Sequence, residues 1–270
     1  MLNSKPLQNL IFLDIETIPQ TESFFEMNLN KQELFLKKFK KDAETMIGLN
    51  MDDWNVESLQ KSELAPQIEK FYNNRAALHA EYNQIIVISV GSFIPPAPGV
   101  DLTKMPGVDL QFRTKTFSGT DEKKVLQDFY KEFYPMLSKS MAHTHHMVAF
   151  NGKVFDFPVI AKRMILNDLP LPAYFDVTEL KPWEMTHLVD PKEAWRFGVF
   201  DGNSSLALLC EVFGVPSSKD DINGSQVRDV YYKEKDVPRI ARYCDKDVSS
   251  LAILYLRMKG IKNNLELVSW

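Results

Sequence analysis

The chain has 270 residues, with 36 Asp and Glu against 32 Lys and Arg and a formal net charge of −4. This length can bury a sizeable core, and it fits one large α/β domain or two small ones. The negative charge argues against strong nonspecific binding to nucleic acid, although it does not exclude an enzyme that acts on it. No apolar run reaches the roughly 18 residues of a membrane span, so we expect no membrane association.

Cysteine usage and the N-terminal residues indicate the compartment. The two cysteines, Cys210 and Cys244, are far apart in the chain and do not make a disulfide framework. The N-terminus has no charged leader followed by a long apolar stretch and a cleavage site. We therefore expect a reducing, cytoplasmic setting.

The first predicted strand, residues 10–18, carries two acids. Because strand side chains alternate, Asp14 and Glu16 project from the same face. Two carboxylates in an apolar setting repel each other and resist ionisation, and a divalent metal ion is the obvious compensation. Such acid pairs are also common by chance, and a strand end with two solvated acids is the alternative explanation.

The strand pattern then stops. Residues 21–82 are rich in Glu, Lys, Gln, Leu and Phe, and the segments 31–43 and 64–79 have apolar residues at helical spacing. We interpret this region as a helical insertion after the first strand. Its lysines are more typical of a solvated helix face than of a DNA-binding patch.

Strands alternate with helices along the rest of the chain. Further strands are predicted at 85–91, 111–117, 147–150 and 187–190. Helices are predicted at 121–138, with Thr120 as the N-cap, and at 155–166, 204–213, 223–232 and 238–259. Little helix separates the second and third strands, which favours an antiparallel pair, whereas the later alternation is typical of parallel strands. We expect one domain over residues 1–270.

A third acid lies where a predicted strand ends and a helix begins. In the segment Asn151-Gly152-Lys153-Val154-Phe155-Asp156, a turn follows the fourth strand and Asp156 opens the next helix. An acid there gains from the helix dipole, which is a purely structural explanation. Open α/β sheets bind ligands beyond the carboxyl ends of their strands, however, and this favours a functional role.

The last predicted helix carries a tyrosine and a further acid on one face. Tyr243 and Asp247 are four residues apart. Asp247 borders the apolar side of this helix, where a lone carboxylate would be costly. Asp245 points elsewhere and is expected to be solvated.

In their order, these groups resemble the three motifs of the DEDD superfamily of 3′-5′ exonucleases, in the subclass with tyrosine in the third motif. The segments FNGKVFDFP, SKDDINGSQV and ARYCDKDV are most similar to proofreading exonuclease domains of family-B DNA polymerases. More narrowly, they resemble the stand-alone bacterial exonucleases related to those domains. The resemblance covers residues 9–258 and is weakest over the helical insertion.

The resemblance implies a ribonuclease H-like α/β fold, with a five-stranded mixed sheet flanked by helices. It also implies that Asp14, Glu16, Asp156 and Asp247 hold two Mg²⁺ or Mn²⁺ ions, and that Tyr243 orients the attacking water. A tyrosine with an ordinary pKa near 10 is a poor free base, so positioning is its expected role. The implied reaction is 3′-5′ hydrolysis of single-stranded DNA ends, with release of nucleoside 5′-monophosphates.

Three residues of the second motif are candidate substrate contacts. Asn151 is expected either to contact the primer strand or to form an Asn-Gly turn. Phe155 and Phe157 are expected either to stack on terminal bases, which aromatic faces do for any sequence, or to pack in the core.

Other charged residues have weaker signals. Lys153 and Lys219 are candidate phosphate contacts, although scattered lysines are usually surface residues. Asp176 and Asp190 lie at predicted strand ends, and we expect them to support the structure rather than to act on the substrate.

The sequence leaves the substrate and the partners open. The same chemistry on RNA is a near alternative, because no sequence feature reports on the ribose 2′-hydroxyl. A non-catalytic nucleic-acid-binding module is a second alternative, which the full set of expected site residues disfavours. Since the chain has no room for a polymerase region, proofreading within this chain is not expected, and a partner polymerase or repair protein is possible.

Overall fold

The computed structural model describes residues 5–48, 55–97, 100–104, 108–138, 145–199, 204–216 and 221–268. Its strands are β1 (Leu10–Pro19), β2 (Asn83–Phe93), β3 (Leu110–Ser118), β4 (His146–Val148), β5 (Leu188–Val189) and β6 (Leu265–Val268). The α-helices of the described ranges are α1 (Leu29–Lys38), α2 (Lys40–Ile47), α3 (Val56–Leu59), α4 (Ala65–Arg75), α5 (Glu122–Leu137), α6 (Asp156–Leu166), α7 (Pro191–Trp195), α8 (Leu206–Phe213), α9 (Val227–Asp229) and α10 (Val237–Met258). No helix within these ranges is long and apolar enough to cross a membrane.

The strands form one mixed sheet in the order β5-β4-β1-β2-β3-β6. Strands β2 and β3 pair antiparallel, while β4 pairs parallel with both β1 and β5, as the connections predicted. The sheet has six strands rather than the expected five, because β6 adds in parallel to β3 at the edge. Strand β6 is only four residues long, and none of its residues is buried. Its sequence therefore lacks the alternation of buried apolar residues by which a strand is predicted.

Two local predictions are corrected by the helix termini. The N-cap of α5 is Asp121 rather than Thr120, since its side chain accepts a hydrogen bond from Lys124 N at 3.2 Å. A carboxylate at this position also interacts favourably with the helix dipole, which a hydroxyl does not. The predicted helix at 223–232 is shorter at its start, because α9 begins at Val227 and continues as a π-helix over Val230–Glu234.

The alternation of β1 assigns its side chains to two different cores. Ile11, Leu13 and Ile15 pack with buried residues of α5 and α6. Leu10 and Phe12 pack with buried residues of α10. Because side chains alternate along a strand, Asp14 and Glu16 follow Phe12 towards the α10 side of the sheet.

Helix α10 comes unusually close to the sheet at Gly91 of β2. A Cβ atom at this position would lie 2.4 Å from Phe112 Cζ and 2.9 Å from Val248 Cγ1. Only glycine leaves room for this approach. The contact holds α10 against the sheet next to Asp247.

A buried ion pair ties α5 to α6. The Glu122 carboxylate accepts hydrogen bonds from the Arg163 guanidinium, from Asn167 Nδ2 at 2.8 Å and from Ile85 N at 2.7 Å. A buried charge is tolerated when it is paired and fully hydrogen-bonded in this way. The network fixes the position of α6, the helix that begins at Asp156.

Residues 17–84 form a compact unit of their own, apart from the unit made by residues 5–16 and 85–268. This unit contains α1 to α4, in agreement with the helical insertion predicted at about 21–82. Its core is aromatic, with Phe24, Phe35, Phe71 and Tyr72 buried and meeting mostly edge to face. The expectation of one domain over the whole chain stays a prediction.

Candidate active site

Strand β1 presents the first two acids on the α10 side of the sheet. Glu16 is only 8% exposed, and Asp14 is half-buried. Their shared face follows from the two-residue spacing on a strand, as predicted.

Asp156 is the first residue of α6 and is 3% exposed. Its carboxylate accepts hydrogen bonds from its own backbone N–H and from the backbone N–H of Ile15. Ile15 lies between the two acids of β1, so this bond ties the second motif directly to the first.

Helix α10 supplies the third group. Tyr243 and Asp247 are both buried, at 7% and 8% exposure, and lie one turn apart on the helix. The hydroxyl of Tyr243 donates a hydrogen bond to the Asp247 carboxylate. Burial and the neighbouring carboxylates raise the pKa of Tyr243, so the phenol stays protonated.

The four carboxylates act on one another. Burial, followed by the charges of Asp247 and the other acids, raises the pKa of both Asp14 and Glu16 well above their ordinary values. Burial likewise raises the pKa of Asp156 to about 7, and Asp190 and Asp247 contribute to this increase. Such a cluster needs a compensating positive charge to ionise fully, and its all-oxygen donor set matches hard divalent cations.

Cys244 is a member of this site that sequence reasoning missed. It is fully buried, and its thiol donates to Asp14 Oδ2 at 3.3 Å and to Asp14 O at 3.4 Å. The ligand atoms of Asp14, Glu16 and Cys244 all lie within 4.8 Å of one another. Burial and the carboxylates raise the pKa of the thiol, so Cys244 orients Asp14 as a donor. Its position next to Tyr243 on a buried helix face was the available signal.

Of the candidate substrate contacts, two lie in the loop that directly precedes Asp156. Asn151 is half-buried with a left-handed backbone, at φ 64°, and its carbonyl accepts from Val154 N and Phe155 N. Asparagine tolerates this conformation better than most residues. Phe155 is half-buried against the core. Their contacts to substrate stay predictions.

The third candidate, Phe157, is corrected by the structure. It is 2% exposed, and its ring stacks on Phe175 with the centroids 6.2 Å apart. Its neighbour Gly152 leaves the space for this ring, since a Cβ there would lie 3.0 Å from Phe157 Cε2. Phe157 therefore packs in the core, which was the alternative expectation, and offers no free face to a base.

Asp190 anchors the loop that leads to Asp156. It is buried, and its carboxylate accepts backbone hydrogen bonds from Asn151 at 2.9 Å, Lys153 at 3.4 Å, Lys192 at 3.0 Å and Glu193 at 3.4 Å. Four donors satisfy the buried charge.

The remaining weak candidates separate. Asp176 is exposed and accepts from Thr178 within its own turn. Asp245 is half-buried and accepts from Thr116 Oγ1 at 3.3 Å, so it is not simply solvated as expected. Lys219 lies outside the described residues, and Lys153 lines a cavity beside the loop that leads to Asp156.

Comparison with known proteins adds a family match. The model of a family described as predicted 3′-5′ exonucleases related to the exonuclease domain of PolB matches residues 78–270. The matched region includes Asp156, Tyr243 and Asp247 and begins after β1, so Asp14 and Glu16 lie outside it. No curated protein is similar enough to this chain to be reported as a relative.

Among solved structures, a family B DNA polymerase from the hyperthermophilic archaeon Pyrobaculum calidifontis is similar to the chain with a TM-score of 0.48 and 16% sequence identity. The similarity covers 93% of this chain and 24% of the polymerase chain. The chain thus spans about a quarter of that polymerase, whose other activities are not transferred to it.

Proposed function

The chain belongs to the family of predicted 3′-5′ exonucleases related to the exonuclease domain of PolB, and from this we propose that it degrades single-stranded DNA from the 3′ end. It hydrolyses the terminal phosphodiester bond and releases nucleoside 5′-monophosphates. One observation carries the proposal: four acids lie close enough together for their charges to interact, namely Asp14, Glu16, Asp156 and Asp247.

These four carboxylates would hold two divalent ions, Mg²⁺ or Mn²⁺. Hard oxygen ligands suit both ions, and the like-charge repulsion among the acids is relieved when positive charge is bound. When bound, such a pair supplies activation of water and stabilisation of the leaving oxygen in an in-line displacement.

The chain's own groups supply positioning. Tyr243 stays protonated and is held by Asp247, so it can orient a water by hydrogen bonding but cannot act as a free base. Cys244 and the Ile15 N–H fix the directions of the Asp14 and Asp156 carboxylates. Asn151 and Phe155 are the proposed contacts to the terminal nucleotides.

Two alternatives share these observations. Hydrolysis of RNA would use the same groups, since the 2′-hydroxyl alone distinguishes the substrates. A binding module without catalysis is disfavoured, because it has no need for four mutually repelling acids, three of them buried. The proposal includes a polymerase or repair protein as partner. It also includes a cytoplasmic location, because two free cysteines are typical of a reducing compartment.

The test uses single-stranded DNA and RNA, labelled at the 3′ or the 5′ end, with Mg²⁺, Mn²⁺ or EDTA. We expect metal-dependent loss of the 3′ label first, with mononucleotide products. Asp14→Asn should abolish cleavage, whereas Asp245→Asn, on the same helix as Asp247 but bonded to Thr116, should retain it.

Three outcomes would count against the proposal. Cleavage that survives both EDTA and Asp14→Asn would exclude the metal-dependent mechanism. Initial loss of the 5′ label would reverse the polarity. Binding of single strands without any cleavage would favour the non-catalytic module.

A further inference from the structure

A cavity of about 210 Å³ lies beside the loop that leads to Asp156. Asn151, Lys153 and Val154 of that loop form one wall, and residues of α7 and its flanks form another. Ligand pockets for whole small molecules are larger, at about 300 Å³ and above, so this cavity suits one portion of a longer ligand.

Three basic side chains line the cavity, and within the described residues only Lys153 has a carboxylate partner. Lys153 pairs with Glu193 at 2.7 Å, and Asp190 is occupied by backbone N–H donors. The side chains of Lys192 and Arg196, which also line the cavity, have no carboxylate partner within the described ranges. The two positions are four residues apart on and just after α7.

Arg196 adds an unpaired donor. Its Nε is buried and has no hydrogen-bond acceptor in the part of the chain that the structure describes. A buried N–H without a partner is unusual in folded proteins and calls for an explanation. An oxygen-rich anion in the cavity would pair with the positive charge of this guanidinium.

The same cavity has an apolar wall. Val154 is 70% exposed, Pro182 is exposed and Met185 is half-exposed. Exposed apolar atoms beside these cations match a nucleotide, whose base has an apolar face and whose phosphate is an anion.

The position of the cavity relates it to the carboxylate cluster. Asp190 lines the cavity and lies close enough to Asp156 for their charges to interact. Lys153 precedes Asp156 by three residues in the same loop. A single-stranded DNA whose 3′ end lies at the carboxylates can therefore place a neighbouring nucleotide in this cavity.

We infer that the cavity binds one nucleotide of the single strand, with its phosphate on Lys192 and Arg196 and its base against Val154 and Met185. The link to a reaction rests on the proposed exonuclease function, whereas the binding itself does not. Because phosphate and a base face are common to all nucleotides, this contact is independent of sequence.

The test measures binding of a fluorescent oligothymidylate by anisotropy in EDTA, so that no cleavage is needed. We expect Lys192→Gln and Arg196→Gln each to raise Kd about tenfold and to lower the salt dependence of binding by about one phosphate contact. Arg196→Lys should lose less affinity, since lysine keeps the positive charge although it lacks the planar guanidinium group. The matched control is Lys162→Gln, an exposed lysine of α6 outside the cavity, which should bind as the wild type does.

A second measurement separates this contact from the chemistry. With the p-nitrophenyl ester of thymidine 5′-monophosphate, which has no neighbouring nucleotide, the cavity variants should keep the wild-type kcat/KM. With an oligonucleotide as substrate, the kcat/KM of the cavity variants should fall about tenfold. Thermal unfolding of each variant shows whether any loss reflects folding.

The outcomes are distinguishable. Folded cavity variants that bind the oligonucleotide as Lys162→Gln does would overturn the inference and leave the proposed function intact. A wild-type protein that binds no single strand would overturn it directly. If the wild type shows no cleavage, and the cavity variants nevertheless bind the oligonucleotide more weakly than the wild type, the proposed function fails and the binding site stands.

Discussion

The substitution Asp156→Asn should stabilise the metal-free protein while abolishing its activity. The pKa of Asp156 is raised from 3.8 to about 7, chiefly by burial and then by Asp190 and Asp247. A difference of one in pKa corresponds to about 1.4 kcal/mol, so ionisation costs the folded state about 4 kcal/mol above pH 7. Asparagine is neutral and keeps an oxygen to accept from Ile15 N.

The sign follows from proton linkage. Between the unfolded pKa of 3.8 and the folded value of about 7, the native wild type binds more protons than the unfolded chain. Its stability therefore falls as the pH rises through this range. The variant has no titrating group at this position and lacks this pH dependence. Its gain in the free energy of unfolding over the wild type should therefore be largest near pH 8 and small near pH 4.

The assay is urea denaturation followed by circular dichroism, in EDTA, at several pH values. We expect a gain of about 2–4 kcal/mol for Asp156→Asn near pH 8, allowing for relaxation around the buried group. Added Mg²⁺ should stabilise the wild type more than the variant, because binding to the native state adds stability. A variant that is less stable than the wild type in EDTA near pH 8, or an advantage independent of pH, would refute this reasoning.

Further predictions concern the supports of the site. Cys244→Val should weaken Mg²⁺ binding about tenfold by removing a donor to a metal-holding carboxylate, and Cys244→Ser should restore it; calorimetric titration with Mg²⁺ checks both. Asp190→Ala should destabilise the fold by about 1–3 kcal/mol and lower kcat, because buried backbone donors lose their acceptor; equal kcat in the folded variant would contradict its positioning role. Gly91→Ala should cost about 1–3 kcal/mol through overlap with Phe112, whereas Gly224→Ala, with nothing within 4 Å of its Cβ, should cost far less in the same unfolding assay.

Sequence patterns predicted those features that depend on local geometry. The two-residue spacing on a strand puts Asp14 and Glu16 on one face, and the four-residue spacing on a helix does the same for Tyr243 and Asp247. The order of the motifs also predicted the family, which the match over residues 78–270 confirms. Catalytic roles for these residues remain predictions.

Tertiary packing decided the rest, because it depends on which surfaces meet across long stretches of chain. The contact of Cys244 with Asp14 joins residues 230 positions apart, and no local pattern specifies it. The bond from Ile15 N to Asp156 and the burial of Phe157 likewise require β1 and α6 to be in place. The strand β1 therefore determined by itself only that two acids share a face, while the packing of α6 and α10 made them part of a largely buried, mutually repelling cluster.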